Sequence, residues 1–301
     1  MRFALQAGGG TYEEILSWAR FAESRGFEAF AIPDHYLRGG SGGAALDALV
    51  TMGGLARDTK TIELVILVSP VTWRHPAVLA KTAATLADMS GGRFTLGVGT
   101  GWLESEHRLF GLDFPERAVR FDMMEEALAY LRSAYAEPPV DFVGKHYRFE
   151  GFDMQPRPDL RIVVGGTGTR RTPELAGRYA DELNAYPAPP EVFAAKVARA
   201  RAAAAAAGRD PGSLTISSAG FFIAADTESG YRERLAAHAA RTGSKVEDLE
   251  EAMRVRNSPH GTWDQVRATL GAMERAGMSR FFIQTFTDDP GAVDEVMEKL
   301  G

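Results

Sequence analysis

Short apolar runs alternate with longer amphipathic stretches along the whole chain. Phe3-Ala4-Leu5-Gln6 reads as a brief buried strand, and Gly8-Gly9-Gly10 separates it from Thr11-Tyr12-Glu13-Glu14. Thr11 and Glu14 form a capping-box pattern, in which each side chain satisfies an orphan amide at a helix start. Ile15, Trp18, Ala19 and Ala22 then recur at helical spacing, and Gly26 closes the run. Phe27 to Ile32 reads as a second strand. The same unit returns at Ile62 to Val68, Arg93 to Val98, Arg161 to Val164, Asp181 to Tyr186, Leu214 to Ile223 and Arg280 to Phe286, with helical stretches between nearly all of them. The third, fifth and seventh runs are apolar and β-branched, as parallel strands covered by helices require.

Eight such units predict a (β/α)8 barrel, taken as one domain over residues 1–301. Two spacings exceed one helix, so insertions are expected after strands four and seven. The first is an added segment at about 102–160, with a small hairpin expected at Phe142 to Phe149. The second is expected to carry extra helix, started by a Ser244/Glu247 capping box ahead of Leu249 and Met253. The rival architecture is a doubly wound open sheet. The unit count and the lack of a clean dinucleotide fingerprint favour the barrel.

Composition acts mainly by exclusion. Apolar residues are 45% and charged residues 25%, ordinary for a globular domain. A net charge of −6 without a basic block argues against nucleic acid or an anionic membrane as a partner. The absence of Cys removes disulfides, thiolate metal sites and cysteine nucleophiles. No apolar run approaches the roughly 18 residues of a spanning helix, and Met1 to Gln6 is too short for a secretion signal. A soluble, cytoplasmic protein acting on a small molecule is expected.

In a barrel, chemistry belongs at the C-terminal tips of the strands. Pro33-Asp34-His35-Tyr36 follows the second run, Ser69-Pro70 with Trp73-Arg74-His75 the third, and Gly97-Val98-Gly99-Thr100-Gly101-Trp102 the fourth. Gly165-Gly166-Thr167-Gly168-Thr169-Arg170-Arg171 follows the fifth, and Asn184 the sixth. The last Gly-rich loop stands before a helix, where free amides and two Arg suit a phosphate, although a tight turn alone explains the glycines equally well. Gly97-Val98-Gly99-Thr100-Gly101 lacks Rossmann spacing and otherwise reads as a crowded strand end. Asp34-His35 is an acid–base pair, a cofactor anchor, or a loop-initiating Asp beside an exposed His. Glu104, Glu106 and His107 suggest a solvated or cofactor-lining loop, because Glu106 and His107 would diverge on a helix; no metal site is expected. Gly39 to Gly43 matches G-x-S-x-G but lacks the strand-to-helix turn of a nucleophile elbow.

Together these tips resemble the luciferase-like monooxygenase superfamily, within it the branch using the deazaflavin coenzyme F420. The resemblance rests on Pro33-Asp34-His35, Val68-Ser69-Pro70 with Arg74-His75-Pro76, Ser90 to Phe94, Gly97 to Trp102, Gly165-Gly166 with Arg170-Arg171-Thr172, Tyr179-Ala180-Asp181 with Asn184, and Gly261 to Val266. It implies a cofactor ring across Ile66 and Leu67, at a non-proline cis peptide between them. It further implies that Asp34, Ser69, Thr100, Gly101 and Ser105 line the ring and its chain, while Gly165, Gly166, Gly168 and Thr169 hold the phosphate. His35 matches the residue that assists proton movement in the sugar-phosphate dehydrogenases of this branch. Trp102 stands where those enzymes carry a catalytic Glu; indole cannot abstract a proton. With Trp73, it suggests instead a flat, largely apolar substrate.

The expected function is therefore hydride transfer between coenzyme F420 and a small apolar or aromatic molecule. The alternatives are an FMN-dependent monooxygenase fed by a separate reductase and a non-catalytic flavin-binding protein. The resemblance also implies a homodimer.

Overall fold

The computed structural model describes residues 1–38, 43–220, 223–284 and 290–300. The G-x-S-x-G stretch thus lies largely outside the described residues, as do Thr285 and Phe286 of the expected last strand. Eight parallel strands close into a barrel: β1 (Arg2–Gln6), β2 (Ala29–Ile32), β3 (Glu63–Pro70), β4 (Phe94–Gly99), β5 (Arg161–Gly166), β6 (Glu182–Ala185), β7 (Thr215–Gly220) and β8 (Arg280–Gln284). Closure is made by β1 against β8, from Arg2 opposite Arg280 to Gln6 opposite Gln284. Alternation along the strands sorts the side chains. Phe3, Leu5, Ile66, Leu96, Leu183 and Ile216 join the core beneath the helices, whereas Ala4, Ala29, Ala31, Val65, Leu67, Val163 and Phe282 pack inside the ring.

Helix α1 (Tyr12–Ser24) starts on the expected capping box: Thr11 Oγ1 accepts from the Glu14 amide, and the Glu14 carboxylate accepts from the Thr11 amide. Ile15, Ala19 and Ala22 are buried on its inner face, and Gly26 leaves it with φ +75°. The other barrel helices include α2 (Ala48–Asp58), α3 (Pro76–Ser90), α6 (Arg171–Tyr179), α7 (Pro190–Ala206), α10 (Trp263–Arg275) and α11 (Pro290–Leu300).

Between β4 and β5 lie α4 (Glu104–Phe110), α5 (Arg117–Ser133) and the expected hairpin, with Phe142 opposite Phe149. Between β7 and β8 lie α8 (Glu228–Thr242) and α9 (Val246–Val255). Two expectations fail in this second segment. Ile223 is not part of β7; it begins a short strand, Ile223–Ala225, that pairs in parallel with His260–Thr262 outside the barrel. Ser244 does not cap α9, which has Lys245 at its N-cap and no side-chain cap. Ser244 is committed to the end of α8, its amide donating to Ala239 and its hydroxyl accepting from Thr242.

The end of the barrel away from the strand tips is closed by charge. Arg280 is fully buried, with Nε 3.0 Å from Glu28, Nη1 3.0 Å from Glu63 and Nη2 3.6 Å from Glu182. Thr95 adds a 2.6 Å hydrogen bond to Glu63. Three carboxylates face one guanidinium, and burial pushes the Glu182 carboxyl up despite Arg280. Such an interior plug directs attention to the opposite, open face.

Candidate active site

The floor of that face is shaped by an irregularity in β3. Ile66 pairs with Leu96 and Ser69 with Val98, so three steps on β3 oppose two on β4, which is a bulge. A non-proline cis peptide lies inside it, between Leu67 and Val68. This corrects the expected position one residue earlier, at Ile66-Leu67. Ile66 is still in register with Leu96, and the extra residue enters only after it. The Ile66 side chain accordingly packs in the outer core, while Leu67 faces the ring interior.

The bulge explains the glycines. A Cβ on Gly99 would come 2.7 Å from Val68 Cγ2, and one on Gly165 would come 2.8 Å from Val68 Cγ1. A Cβ on Gly97 would run into the Ile66 carbonyl oxygen and stand 2.8 Å from Val68 Cγ1. The G-x-G run is thus a crowded strand end whose crowding comes from the neighbouring strand. A polar chain holds the bulge from the far side: Gln284 Nε2 donates to Gln6 Oε1 (2.8 Å), and Gln6 Nε2 donates to the Leu67 carbonyl (3.0 Å).

Around this floor the loops carry the expected residues. Asp34 is buried, and Arg74 grips both of its oxygens while reaching Ser69 Oγ at 3.3 Å and Asp47 at 2.8 Å. Burial pushes the Asp34 carboxyl up and Arg74 opposes it; burial weighs against the Arg74 cation, but Asp34 outweighs that and holds its pKa above the usual range. Asp34 therefore anchors the loop. Thr100 and Gly101 are half-buried at the tip of β4, Gly101 with φ +75°. A Cβ there would also stand 3.2 Å from Thr72 Oγ1. Ser105 is half-buried on α4.

His35 stands edge-on to Trp102, ring centres 5.8 Å apart, and to Trp73 at 6.3 Å. Trp102 is 72% exposed and offers open aromatic surface. Trp73 does not: it is buried and stacked on Tyr36 at 4.3 Å. Of the two tryptophans expected to receive a substrate, only Trp102 is open to one.

Glu106 and His107 are not in a solvated loop. Both are buried on α4. As adjacent helical residues they do diverge, each to its own partners. Glu106 Oε2 lies 2.8 Å from His35 Nδ1, and Oε1 accepts from the Leu37 amide at 2.8 Å. His107 lies 2.6 Å from Thr72 Oγ1 and 2.8 Å from the Leu103 carbonyl. Among the described residues, no group of three or more His, Cys, Asp or Glu could hold a metal ion.

Gly166 ends β5, and Gly168 and Thr169 run on into α6, which has no side-chain cap at its N-terminus. A Cβ on Gly166 would meet only Thr172, at 3.5 Å, so the loop leaves space over the first amides of α6. A Cβ on Gly168 would strike Thr172 Oγ1 at 2.5 Å. The expected charge is partly spent elsewhere. Arg171 pairs with Asp122 at 2.7 Å and Glu125 at 3.5 Å on α5, and Arg170 is exposed beside Glu174. Asn184 donates to Ser217 at 2.9 Å and borders Gly165. Both the Val68 floor and this cradle fit a flat ring carrying a phosphate chain.

A sequence profile described as luciferase-like monooxygenase matches residues 2–280. The chain belongs to that family. It is 33% identical over 189 residues to an F420-dependent glucose-6-phosphate dehydrogenase of Microbacterium testaceum, a match covering 60% of this chain and 55% of that protein. The chain thus spans little more than half the length of that relative. An FMNH(2)-dependent dimethylsulfone monooxygenase of Pseudomonas putida is 30% identical over 84% of this chain and 70% of its own. Among solved structures, an F420-dependent secondary alcohol dehydrogenase with an F420-acetone adduct superposes with a TM-score of 0.84 at 20% identity. That match covers 99% of this chain and 98% of the other, and it shows the shared fold. The family therefore includes relatives named for each of the two cofactors.

Proposed function

We propose that this chain is a coenzyme F420-dependent oxidoreductase that moves a hydride between the deazaflavin and a small, flat, apolar or aromatic substrate, the whole chain working as one barrel domain. The observation that carries this reading is the pairing of His35 with the open Trp102, at the tips of β2 and β4 on either side of the strand that carries the apolar floor at Leu67 and Val68. Leu67 and Val68 would support the ring, Thr100, Gly101 and Ser105 its chain, and Gly166, Gly168 and Thr169 the phosphate. When bound, the cofactor supplies the centre that takes or gives the hydride. The protein's own contribution is to orient both molecules, exclude water and handle the accompanying proton at His35. Trp102 in place of an acidic side chain speaks against glucose-6-phosphate as the substrate. The specific second reading, an FMN-dependent monooxygenase supplied by a reductase, is favoured by the dimethylsulfone monooxygenase matched over 84% of this chain.

Titration of the apo-protein with oxidised and reduced F420 and FMN, by fluorescence and calorimetry, tests the assignment. F420 should bind more tightly, and NAD should not bind. Thr169→Asp puts a negative charge just ahead of α6, which favours the helix dipole but repels a phosphate. It should leave thermal stability intact and weaken cofactor binding by about 10- to 100-fold, the scale of a charge-assisted contact. Tighter FMN binding with oxygen consumption would select the monooxygenase reading, and an unchanged affinity in Thr169→Asp would remove the phosphate site.

A further inference from the structure

We infer that Glu106 is a positioning residue for proton transfer: it fixes the tautomer of His35 so that Nε2 carries the free lone pair. This role rests on the hydride-transfer reading above.

Glu106 is buried, and each of its oxygens has one partner. An ionised carboxylate can only accept. The Leu37 amide at Oε1 can only donate, so Oε2 meets His35 Nδ1 as a second acceptor, and Nδ1 must carry the hydrogen. In a neutral imidazole the lone pair then falls on Nε2, for which no partner is found among the described residues. The ring cannot swivel freely, because Trp102 and Trp73 meet it edge-on. The carboxylate itself is placed by α4, which its neighbour His107 secures. The Leu103 carbonyl cannot donate, so His107 Nδ1 donates to it and Nε2 faces the Thr72 hydroxyl. Were the substrate an alcohol, a bound cofactor would supply the acceptor for the hydride and its C–H electron pair. The O–H proton would pass to His35 Nε2 as the C=O bond forms. In reduction, the same proton returns from His35.

Glu106→Gln separates this role from mere packing. The amide has the same shape but one acceptor and one donor. Leaving the half-buried Leu37 amide facing a donor NH2 in place of its acceptor costs more than moving a proton within the imidazole. The oxygen therefore stays on Leu37, the NH2 faces His35, and Nδ1 becomes the acceptor. The ¹⁵N spectrum of histidine-labelled, cofactor-free protein should show His35 protonated at Nδ1 in the wild type and at Nε2 in the variant. Turnover should fall by about 100-fold, the scale of a general acid–base group, with cofactor Kd within about threefold. In a His35→Ala background, Glu106→Gln should cost nothing further, because two residues acting as one unit are not additive. Nε2 protonation in the wild type would overturn the inference without any variant. So would an unshifted tautomer in Glu106→Gln, or an additive loss in the double variant. If no cofactor supports turnover, the hydride-transfer reading fails separately, while the spectra still report on Glu106.

Discussion

The Val68 bulge makes a quantitative demand on the glycines beneath it. Gly165 has no positive φ, so alanine there is opposed only by contact. Its Cβ would stand 2.8 Å from Val68 Cγ1, 3.5 Å from Cγ2 and 3.8 Å from Asn184 Cβ. Overpacking of this kind costs about 1–3 kcal/mol, reduced by about 0.4–1 kcal/mol because alanine restricts the unfolded chain. Gly165→Ala should therefore lose roughly 1–2 kcal/mol. Val68→Ala removes two methyl groups from a half-buried position and should itself cost up to about 1.5 kcal/mol. Together they should be no worse than Val68→Ala alone, because the new methyl occupies the vacated space. The coupling is then about 1–2 kcal/mol in favour of the pair. Gly97→Ala is the control. Its main obstacle is the Ile66 carbonyl, which is backbone, so Val68→Ala should not rescue it. Urea unfolding midpoints of the single and double variants, read at constant m, give the cycle. If Gly165→Ala costs as much in the Val68→Ala background as in the wild type, the bulged side chain is not what requires glycine.

Three further outcomes follow from the same structure. Arg74→Ala leaves the Asp34 carboxyl buried without its cation and should cost about 3–5 kcal/mol in urea unfolding, with part recovered by adding Asp34→Asn; a loss below about 1 kcal/mol would contradict the anchoring role. Glu182 has its carboxyl pKa raised by burial, so the stability it contributes is full below the unfolded value of about 4.5 and is lost as pH rises through the folded value. Glu182→Gln should thus gain on the wild type as pH rises from about 4 toward 9, and a pH-independent difference would refute this. Trp102→Ala, at a 72% exposed position, should leave stability within about 0.5 kcal/mol but raise KM for an aromatic substrate about 3- to 10-fold; unchanged kcat/KM would show that the indole takes no part.

Much of this was legible in the chain. Each of the eight expected strands overlaps a barrel strand, and the hairpin expected over Phe142 to Phe149 forms, because both patterns are local. A strand buried on both faces is an apolar run, and its end is marked by glycine or a polar tip. The α1 cap was legible for the same reason, since Thr11 and Glu14 are one turn apart. The Ser244 box misled because its hydroxyl had a nearer partner at the end of α8. Arg171 misled because a charge before a helix says nothing about Asp122, which lies across on α5.

The alternation of strand and helix and the placing of Asp34, His35, Trp102 and Gly166 at strand tips were settled by the sequence alone, through backbone periodicity and the partition of side chains from water. The partners of those residues were decided only by closure of the ring. Gln6 meets Gln284 across 278 residues, Arg280 meets Glu63 across 217, and Glu106 meets His35 across 71. No period in the chain encodes such pairs. A carboxylate takes its chemical role from whatever the folded barrel brings within about 3 Å of it, and hydrogen-bond geometry is too short-ranged to be read before that distance exists.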